Sequence, residues 1–365
     1  MHIQDDFRFM RRALFLARRG QYHVRPNPMV GAVIVKDGKI IGEGWHEYYG
    51  GPHAEVQAFS QCSENPEGAV LYVTLEPCAH YGKTPPCADL IISKKISRVV
   101  AAMEDPNPLV SGRGLTKLKK AGIQVQCGLL EKESRQLNEI FIKYIVEKIP
   151  FVIYKSACSL DGKCACATGD SQWISGEESR RRSHEKRGCY GGIMTGSGTV
   201  LADNPRLTDR TEGHEDPLRI IADGNLSVPL SSRIFHEKGK NIFLITEAAT
   251  AEKRKNVEDT GAELIETPLC QGKVDLAYAM KELGKRGIDS ILLEGGPTLA
   301  ASAFQAGIID KVEFYVAPMI LGGTGAPGPV GGKGACTVSQ GIHLTDMTWS
   351  MVGHDAFVTA YVEKR

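Results

Sequence analysis

The residues whose types and spacing point most directly to chemistry are His53, Cys78 and Cys87, together with Glu55. One imidazole and two thiolates can hold a zinc ion, and a catalytic zinc keeps its fourth position for water. Zinc lowers the pKa of that water to about 7, so hydroxide is available to attack an amidine-like ring carbon. Glu55 can then carry a proton to the departing ammonia without being a ligand. We therefore expect a hydrolytic zinc site in which Glu55 is catalytic.

A helix N-terminus must position the first part of this site. His53 and Glu55 are two residues apart, so on a regular helix they would point about 200° apart. They can share one site only where a helix begins, and the Gly-Gly-Pro sequence at 50–52 favours such a start. The apolar residues that follow predict a helix with His53 at its beginning.

The two cysteines are placed by a strand and a second helix. Cys78 follows a predicted strand at 69–74, and Cys87 begins a predicted helix. The insert at 79–86 contains a glycine and paired prolines, which predict a loop. It is longer than the Cys-x2-Cys spacing of many zinc deaminases. His80, inside the insert, is expected to line the pocket or its rim, although it could compete as a ligand.

Composition excludes several classes of protein. At 365 residues two or more domains are expected, and a net charge of +1 argues against a dedicated nucleic-acid surface. No run of 18 apolar residues is present, so no membrane helix is expected. The polar, acidic N-terminus does not resemble a signal peptide. Ten cysteines without such a signal predict reduced thiols and a cytoplasmic location.

The first part of the chain has an α/β pattern. Helical spacing of apolar residues between 7 and 17 precedes a strand at 30–35, and the Asp37-Gly38 pair predicts a hairpin. Further strands are predicted at 98–103 and 123–127, with a helix near 115–120. Asn27, between two prolines, either presents an amide that binds a pyrimidine edge or lies in a plain turn.

The pattern restarts after residue 150 as a second α/β region. Strands are predicted at 151–156, 218–222, 241–245 and 290–293, and a capping box is predicted at 175–178. Two glycine-containing turns, at 195–199 and 295–299, follow strands and could bind a diphosphate, although either could be a simple tight turn. The basic run at 180–187 predicts a solvated helix face, from which one arginine could reach a phosphate.

Taken together, the motifs resemble those of the bifunctional riboflavin-biosynthesis enzymes, in which a deaminase is fused to a reductase. They extend over nearly the whole chain in order, at residues 26–31, 53–56, 74–78, 84–87, 104–108, 159–163, 169–174, 198–205 and 294–296. Ala79 departs from the serine expected beside the second zinc ligand. This change affects a neighbour of the ligand and leaves the ligand set itself intact.

The resemblance implies an α/β fold with a cytidine-deaminase-like three-layer domain at 1–146 and a dihydrofolate-reductase-like domain at 151–365. It implies hydrolytic deamination of a diamino-hydroxy-phosphoribosylaminopyrimidine, followed by NADPH-dependent reduction of the ribosyl group to ribityl. The implied cofactors are Zn²⁺ and NADPH. We expect a small-molecule substrate, no nucleic-acid or membrane partner, and a homo-oligomer, either a dimer or a tetramer.

The resemblance also assigns residues in the second domain. Lys155 and Asp203 are the expected catalytic residues. The residues expected to contact NADPH are Ala157, Trp173, Thr199, Asp203, Gly295, Gly296, Pro297, Thr298 and Leu299. Those expected to contact substrate are Asn27 in the first domain and Ser171, Arg187, Leu207, Arg210 and Glu294 in the second.

Three alternatives remain at this point. A nucleic-acid-editing deaminase would need a basic surface and stacking aromatic residues, whereas aromatic residues make up only 7% of this chain. A second alternative is a deaminase with an inert second domain. The third is a binding module with structural zinc, which would usually show four protein ligands where three are evident here.

Overall fold

The computed structural model describes residues 3–80, 85–108, 110–211, 214 and 216–364. The chain forms two compact units, Met1–Lys148 and Ile149–Arg365. The domain limits expected from the sequence, 146 and 151, lie on either side of this division. Residues 81–84 of the insert between the cysteines lie outside the described residues, as does the first residue of the motif at 84–87.

The first unit is built on a five-stranded sheet with the order β2-β1-β3-β4-β5. Strands β3, β4 and β5 are parallel, and β1 is antiparallel to both of its neighbours. The elements are α1 (Ile3–Ala17), β1 (Gly31–Lys36), β2 (Lys39–Trp45), α2 (Ala54–Ser60), β3 (Val70–Val73), α3 (Cys87–Ser93), β4 (Arg98–Ala101), α4 (Arg113–Lys120), β5 (Gln124–Cys127), α5 (Glu131–Leu137) and α6 (Glu139–Glu147).

Helices cover both faces of this sheet because its strands are apolar on both sides. Ala32 and Ile34 of β1 pack with α2, α3 and α4, whereas Val33 and Val35 pack with α1. The three-layer prediction is therefore confirmed. The hairpin prediction is confirmed as well, because Asp37 and Gly38 join β1 to β2 with φ values of +48° and +74°.

The second unit contains a nine-stranded sheet with the order β10-β9-β8-β7-β13-β6-β14-β16-β15. Its elements are β6 (Phe151–Ser159), α7 (Glu177–Arg187), β7 (Gly192–Gly196), α8 (Ser197–Asp203), β8 (Leu218–Ala222), β9 (Asn241–Ile245), α9 (Ala251–Glu258), β10 (Glu263–Glu266), β11 (Leu269–Cys270), β12 (Lys273–Val274), α10 (Leu276–Lys285), β13 (Ser290–Leu293), α11 (Pro297–Gln305), β14 (Lys311–Ala317), β15 (Leu344–Val352) and β16 (Asp355–Val362).

Seven strands of this sheet, from β10 to β14, are parallel, and β16 and β15 add an antiparallel edge. The carboxyl ends of the parallel strands therefore meet at one edge, where α/β sheets place their ligands. The predicted capping box at α7 is wrong. Gly176, not Ser175, precedes the helix, and the Asp355 carboxylate accepts the Gly176 N–H at 2.8 Å.

Membrane-spanning helices are not found in the described part of the chain. None of its helices has the length and apolar composition that crossing a bilayer requires.

Candidate active sites

The N-terminus of α2 positions the first half of the candidate metal site. His53 is the N-cap residue in an extended conformation, and Glu55 lies in the first turn. This turn can approach β2 closely because residue 44 is glycine: a Cβ there would lie 2.5 Å from the Ala54 carbonyl oxygen. The expectation that His53 and Glu55 share a helix start is confirmed.

The donor atoms of His53, Cys78 and Cys87 converge. The His53 Nδ1 lies 3.5 Å from the Cys78 Sγ and 3.3 Å from the Cys87 Sγ, and the three donor atoms lie within 4.8 Å of one another. Cys87 begins α3, and its backbone N–H donates to the Cys78 sulfur at 3.3 Å. One imidazole and two sulfurs in this arrangement fit a zinc ion with three protein ligands.

The electrostatics of the site suit proton transfer. Glu55 is only 3% exposed, and this burial raises the pKa of its carboxyl group to about 7. Hydrogen bonds from Cys87 and His53 lower the pKa of the Cys78 thiol well below its usual range, which favours the thiolate that a metal requires. A carboxyl group with a pKa near neutrality can both accept and return a proton.

His46, which the sequence analysis did not identify, connects Asn27 to the metal site. The Asn27 Nδ2 lies 3.1 Å from the His46 Nε2, and the Nδ1 of the same ring lies 3.0 Å from the Pro52 carbonyl oxygen. The rings of His46 and His53 are 5.9 Å apart. Only the pairing of β1 with β2 brings these residues together, so no local sequence pattern could have identified His46.

Glu76 fixes the segment that carries Cys78. The side chain is 6% exposed, and its carboxylate accepts four backbone N–H groups. Oε1 accepts from Gly114 at 2.7 Å and Leu115 at 3.2 Å, and Oε2 accepts from Gly112 at 2.9 Å and Asp105 at 3.1 Å. A carboxylate is favourable at this position because the N-terminus of α4 is electropositive.

The start of α4 lies directly against the strand end that precedes Cys78. A Cβ at Gly114 would be only 1.9 Å from the Pro77 carbonyl oxygen, so this approach requires glycine. Glu76 and Gly114 together hold the Pro77–Cys78 segment and the loop that carries Asp105 in one arrangement. We infer that Glu76 is a positioning residue for the metal site.

Replacing Glu76 with glutamine tests this role. An amide nitrogen would replace one acceptor oxygen and face two N–H donors. We expect Glu76→Gln to lower the free energy of unfolding by about 1–3 kcal/mol and deamination by about tenfold or more. Urea unfolding and deaminase kcat measure the two effects. Glu67→Gln is the matched control, since Glu67 pairs with Lys95 at the surface. Equal effects in both variants would contradict the inference.

A cavity of about 920 Å³ lies at the carboxyl edge of the second sheet, which is within the usual range for ligand sites. The described residues that line it include most of those predicted for the second domain: Lys155, Ala157, Ser171, Thr199, Asp203, Glu294, Gly295, Gly296, Pro297, Thr298 and Leu299. Thr199 Oγ1 accepts the Gly296 N–H at 3.1 Å, which joins the two glycine-containing turns. A Cβ at Gly198 would meet nothing within 4 Å, so the backbone there is open to a ligand.

Arg187 and Glu294 form a largely buried ion pair beside this cavity. The Arg187 guanidinium donates to the two carboxylate oxygens of Glu294 at 2.8 and 3.3 Å and to the Thr208 carbonyl at 3.0 Å. Burial alone would raise the pKa of Glu294, but Arg187 and Lys155 lower it to about 2. The basic run at 180–187 was predicted to form a solvated helix face. That prediction holds for Arg181, which is exposed, but not for Arg187.

His184 belongs to the same cluster, although sequence reasoning gave it no role. It lies one helical turn before Arg187 on α7. Burial, together with the positive charges of Arg187 and Arg210, lowers the pKa of His184 to about 4. The imidazole is therefore neutral at pH 7 in a group of cations suited to an anionic substrate.

Four residues predicted for the second domain are not among those that line the cavity: Arg187, whose ion pair is described above, Trp173, Leu207 and Arg210. Trp173 is 66% exposed, and the Arg180 guanidinium lies over its ring. Leu207 is buried in the apolar core, with a φ of +56°. Arg210 is exposed, and its charge acts on His184. The structure brings Arg210 near the ionic cluster but does not bring Trp173 into the cavity.

The two folds and their sites define a zinc-dependent deaminase joined to a nucleotide-dependent reductase. Residues 3–103 match the zinc-binding region of cytidine and deoxycytidylate deaminases, and residues 150–358 match the RibD C-terminal domain. The riboflavin biosynthesis protein RibD of Actinobacillus pleuropneumoniae is 42% identical over 96% of this chain and 93% of its own length. The RibD protein of Escherichia coli is 43% identical over 92% of this chain and 92% of its own length.

Solved structures agree over the full chain. RibD of Acinetobacter baumannii superposes with a TM-score of 0.87 at 35% identity, covering 100% of both chains. The diaminohydroxyphosphoribosylaminopyrimidine deaminase/5-amino-6-(5-phosphoribosylamino)uracil reductase of Thermotoga maritima gives 0.85 at 37% identity, again over 100% of both.

This chain belongs to the RibD family of bifunctional deaminase–reductases of riboflavin biosynthesis. It uses zinc in its first domain and NADPH in its second. The alternative of an inert second domain finds no support, because the reductase family matches 150–358.

Proposed function

We propose that the first domain hydrolyses 2,5-diamino-6-(5-phosphoribosylamino)pyrimidin-4-one to 5-amino-6-(5-phosphoribosylamino)uracil and ammonia. The second domain then reduces the ribosyl group of that uracil to ribityl. The observation that carries the proposal is the convergence of His53, Cys78 and Cys87 beside buried Glu55. The name of the Thermotoga maritima relative supports both substrates.

In the deaminase, His53, Cys78 and Cys87 are the metal ligands. When bound, zinc supplies the Lewis acid that makes water nucleophilic at neutral pH. Glu55 takes a proton from the attacking water and delivers it to the departing amine, a role that a carboxyl pKa of about 7 permits. Asn27, held by His46, contacts the pyrimidine edge.

In the reductase, the turn at 295–299 and Thr199 hold the dinucleotide, with Ala157 and Asp203 as further contacts. NADPH supplies a hydride when bound. Arg187 and Arg210 bind the substrate phosphate, because guanidinium groups bind phosphate oxygens in pairs. Ser171 and Glu294, which line the cavity, complete the substrate contacts. Lys155 and Asp203 line the cavity. They supply or hold the proton.

The test is incubation of the full chain with the diamino substrate, with and without NADPH, followed by mass analysis. Deamination replaces NH with O, and reduction adds two hydrogens, so each activity is reported separately. Without NADPH we expect only the first mass change, and with NADPH both. Absence of the second change with NADPH would contradict the reductase assignment.

We further propose a cytoplasmic homo-oligomer, either a dimer or a tetramer. The ten cysteines are all free thiols, which suits a reducing compartment. The outermost strand, β15, supports self-association because Met347, Trp349 and Met351 alternate along it and share one exposed face. An edge strand also presents unpaired backbone groups to another chain.

The oligomer proposal predicts that Trp349→Lys shifts the protein to a smaller species. Trp349 is 73% exposed, and burying a charge at the same position of an interface is unfavourable. Size-exclusion chromatography with light scattering measures the mass. Thr348→Lys, on the opposite face of β15, is the control and should leave the mass unchanged. A monomeric wild-type protein would contradict the proposal.

A further inference from the structure

The reductase cavity extends along the sheet far enough to hold a whole dinucleotide, an interpretation that rests on the proposed reductase function. Residues lining it follow strands β6, β13, β7, β8 and β9, which are consecutive neighbours. Four steps of about 4.8 Å place its two ends roughly 19 Å apart. A cofactor with two linked nucleotides therefore fits lengthwise.

The residues that line the cavity indicate which half of the dinucleotide lies at each end. Lys155, the proposed catalytic lysine, belongs to β6 and lines the cavity, so the reacting end lies there. The turn that precedes α11 lies between the ends, where a diphosphate is expected. The adenosine half must then lie beyond β8 and β9, next to Asn225 and Thr246.

Lys273 is a cation on a hairpin that lies beside this adenosine end. Among the described residues that line the cavity, the only cationic side chains are Lys155 and Lys273. Lys273 belongs to the β11–β12 hairpin, and its Nζ lies 3.4 Å from the Ser302 Oγ, which also lines the cavity. The next residue, Val274, lies beside the end of β8, because a Cβ at Gly224 would be 3.7 Å from its Cγ2.

The carboxylate of Asp223, at the same end of the cavity, already accepts hydrogen bonds from its own turn. Dinucleotide sites that prefer NADH commonly use an acidic residue to accept the adenosine ribose 2′-hydroxyl. Asp223, which directly follows β8, is 2% exposed. Its Oδ1 accepts the Ser227 hydroxyl and its Oδ2 accepts the Val228 N–H, both at 2.9 Å. Asp223 thus stabilises its own turn and does not present a free oxygen to a ribose.

We infer that Lys273 binds the 2′-phosphate of NADPH and is the residue that sets the preference for NADPH over NADH. A dianionic phosphate needs a cation, and Lys273 supplies one on a flexible side chain next to the Ser302 hydroxyl. NADH lacks this phosphate, so it gains nothing from the same side chain.

The test is equilibrium binding of NADPH and NADH to the full-length, zinc-loaded protein by calorimetry. Lys273→Gln should weaken NADPH about tenfold or more and leave NADH within about twofold. Lys273→Arg should keep most of the NADPH affinity. Lys273→Gln should likewise weaken the binding of 2′,5′-ADP, which carries the 2′-phosphate, and leave that of 5′-ADP nearly unchanged. This result would assign the effect to the 2′-phosphate. These measurements need no turnover.

Lys253→Gln is the matched control. Lys253 donates to the Asn225 carbonyl at 3.0 Å but is not among the residues that line the cavity. Equal losses for NADPH and NADH in Lys273→Gln, or an equal NADPH loss in Lys253→Gln, would overturn the assignment of Lys273. If wild-type protein binds neither nucleotide, the reductase function itself fails, so the two failures are distinguishable.

Discussion

Glu55→Gln is expected to keep its zinc and to lose deamination by a factor on the order of 10² or more. The amide fills the same space but cannot accept a proton from water or return one to the leaving amine. Because Glu55 is not one of the three converging donors, the metal content should not change. Deaminase kcat and metal analysis of the same sample give both results.

Cys87→Ser is the companion variant and should lose zinc and deamination together. Reduction of already deaminated substrate should persist in both variants, since its residues lie in the other unit. Loss of zinc from Glu55→Gln would mean that Glu55 is itself a ligand. Full zinc and full activity in Cys87→Ser would exclude the proposed ligand set.

The second large effect is expected for Arg187→Met. The side chains of Arg187 and Glu294 are only 11% and 12% exposed, so removing the arginine leaves a buried carboxylate without its partner. Breaking such a pair lowers the free energy of unfolding by about 3–5 kcal/mol. We also expect a raised KM for the phosphorylated substrate. Denaturant unfolding and reductase kinetics measure these effects.

The pH dependence of stability shows whether loss of the Arg187–Glu294 ion pair causes the lower stability of Arg187→Met. The pKa of Glu294 is lowered from 4.5 to about 2, which corresponds to about 3 kcal/mol of stability above pH 4.5. This contribution is lost as the pH falls from 4.5 towards 2. In Arg187→Met the carboxyl pKa rises, so the loss over that interval should be smaller. Arg181→Met, whose side chain is 73% exposed, should match the wild type. Unchanged pH dependence in Arg187→Met would contradict the ion-pair account.

Sequence reasoning identified the residues whose chemistry is local. His53 and Glu55 needed only a helix start, and Cys78 and Cys87 needed only a strand end and a helix start, all of which flanking residues predict. The glycine-containing turn before α11 was predicted for the same reason. These features depend on a few neighbouring φ and ψ angles rather than on distant contacts.

Contacts between distant segments were not predictable in this way. His46 joins Asn27 because β2 pairs with β1. Glu76 binds the N–H groups of positions 105, 112, 114 and 115, which follow another strand. Strands β14, β15 and β16 were not predicted, and their place in the sheet depends on pairing with β6 and with one another rather than on local sequence. Trp173 was assigned by resemblance, and its exposed position shows why a motif alone does not place a side chain.

The dispersed origin of the metal donors has a thermodynamic consequence. They come from three segments, and His53 and Cys87 are 34 positions apart, so the unfolded chain does not present them together. Zinc therefore binds the folded first unit preferentially, and its binding free energy adds to that unit's stability, by about 4 kcal/mol at a thousandfold excess over Kd. None of the three metal donors belongs to the second unit. In zinc-poor surroundings the first unit would lose its chemistry and this part of its stability, whereas the residues of the second site bind no zinc.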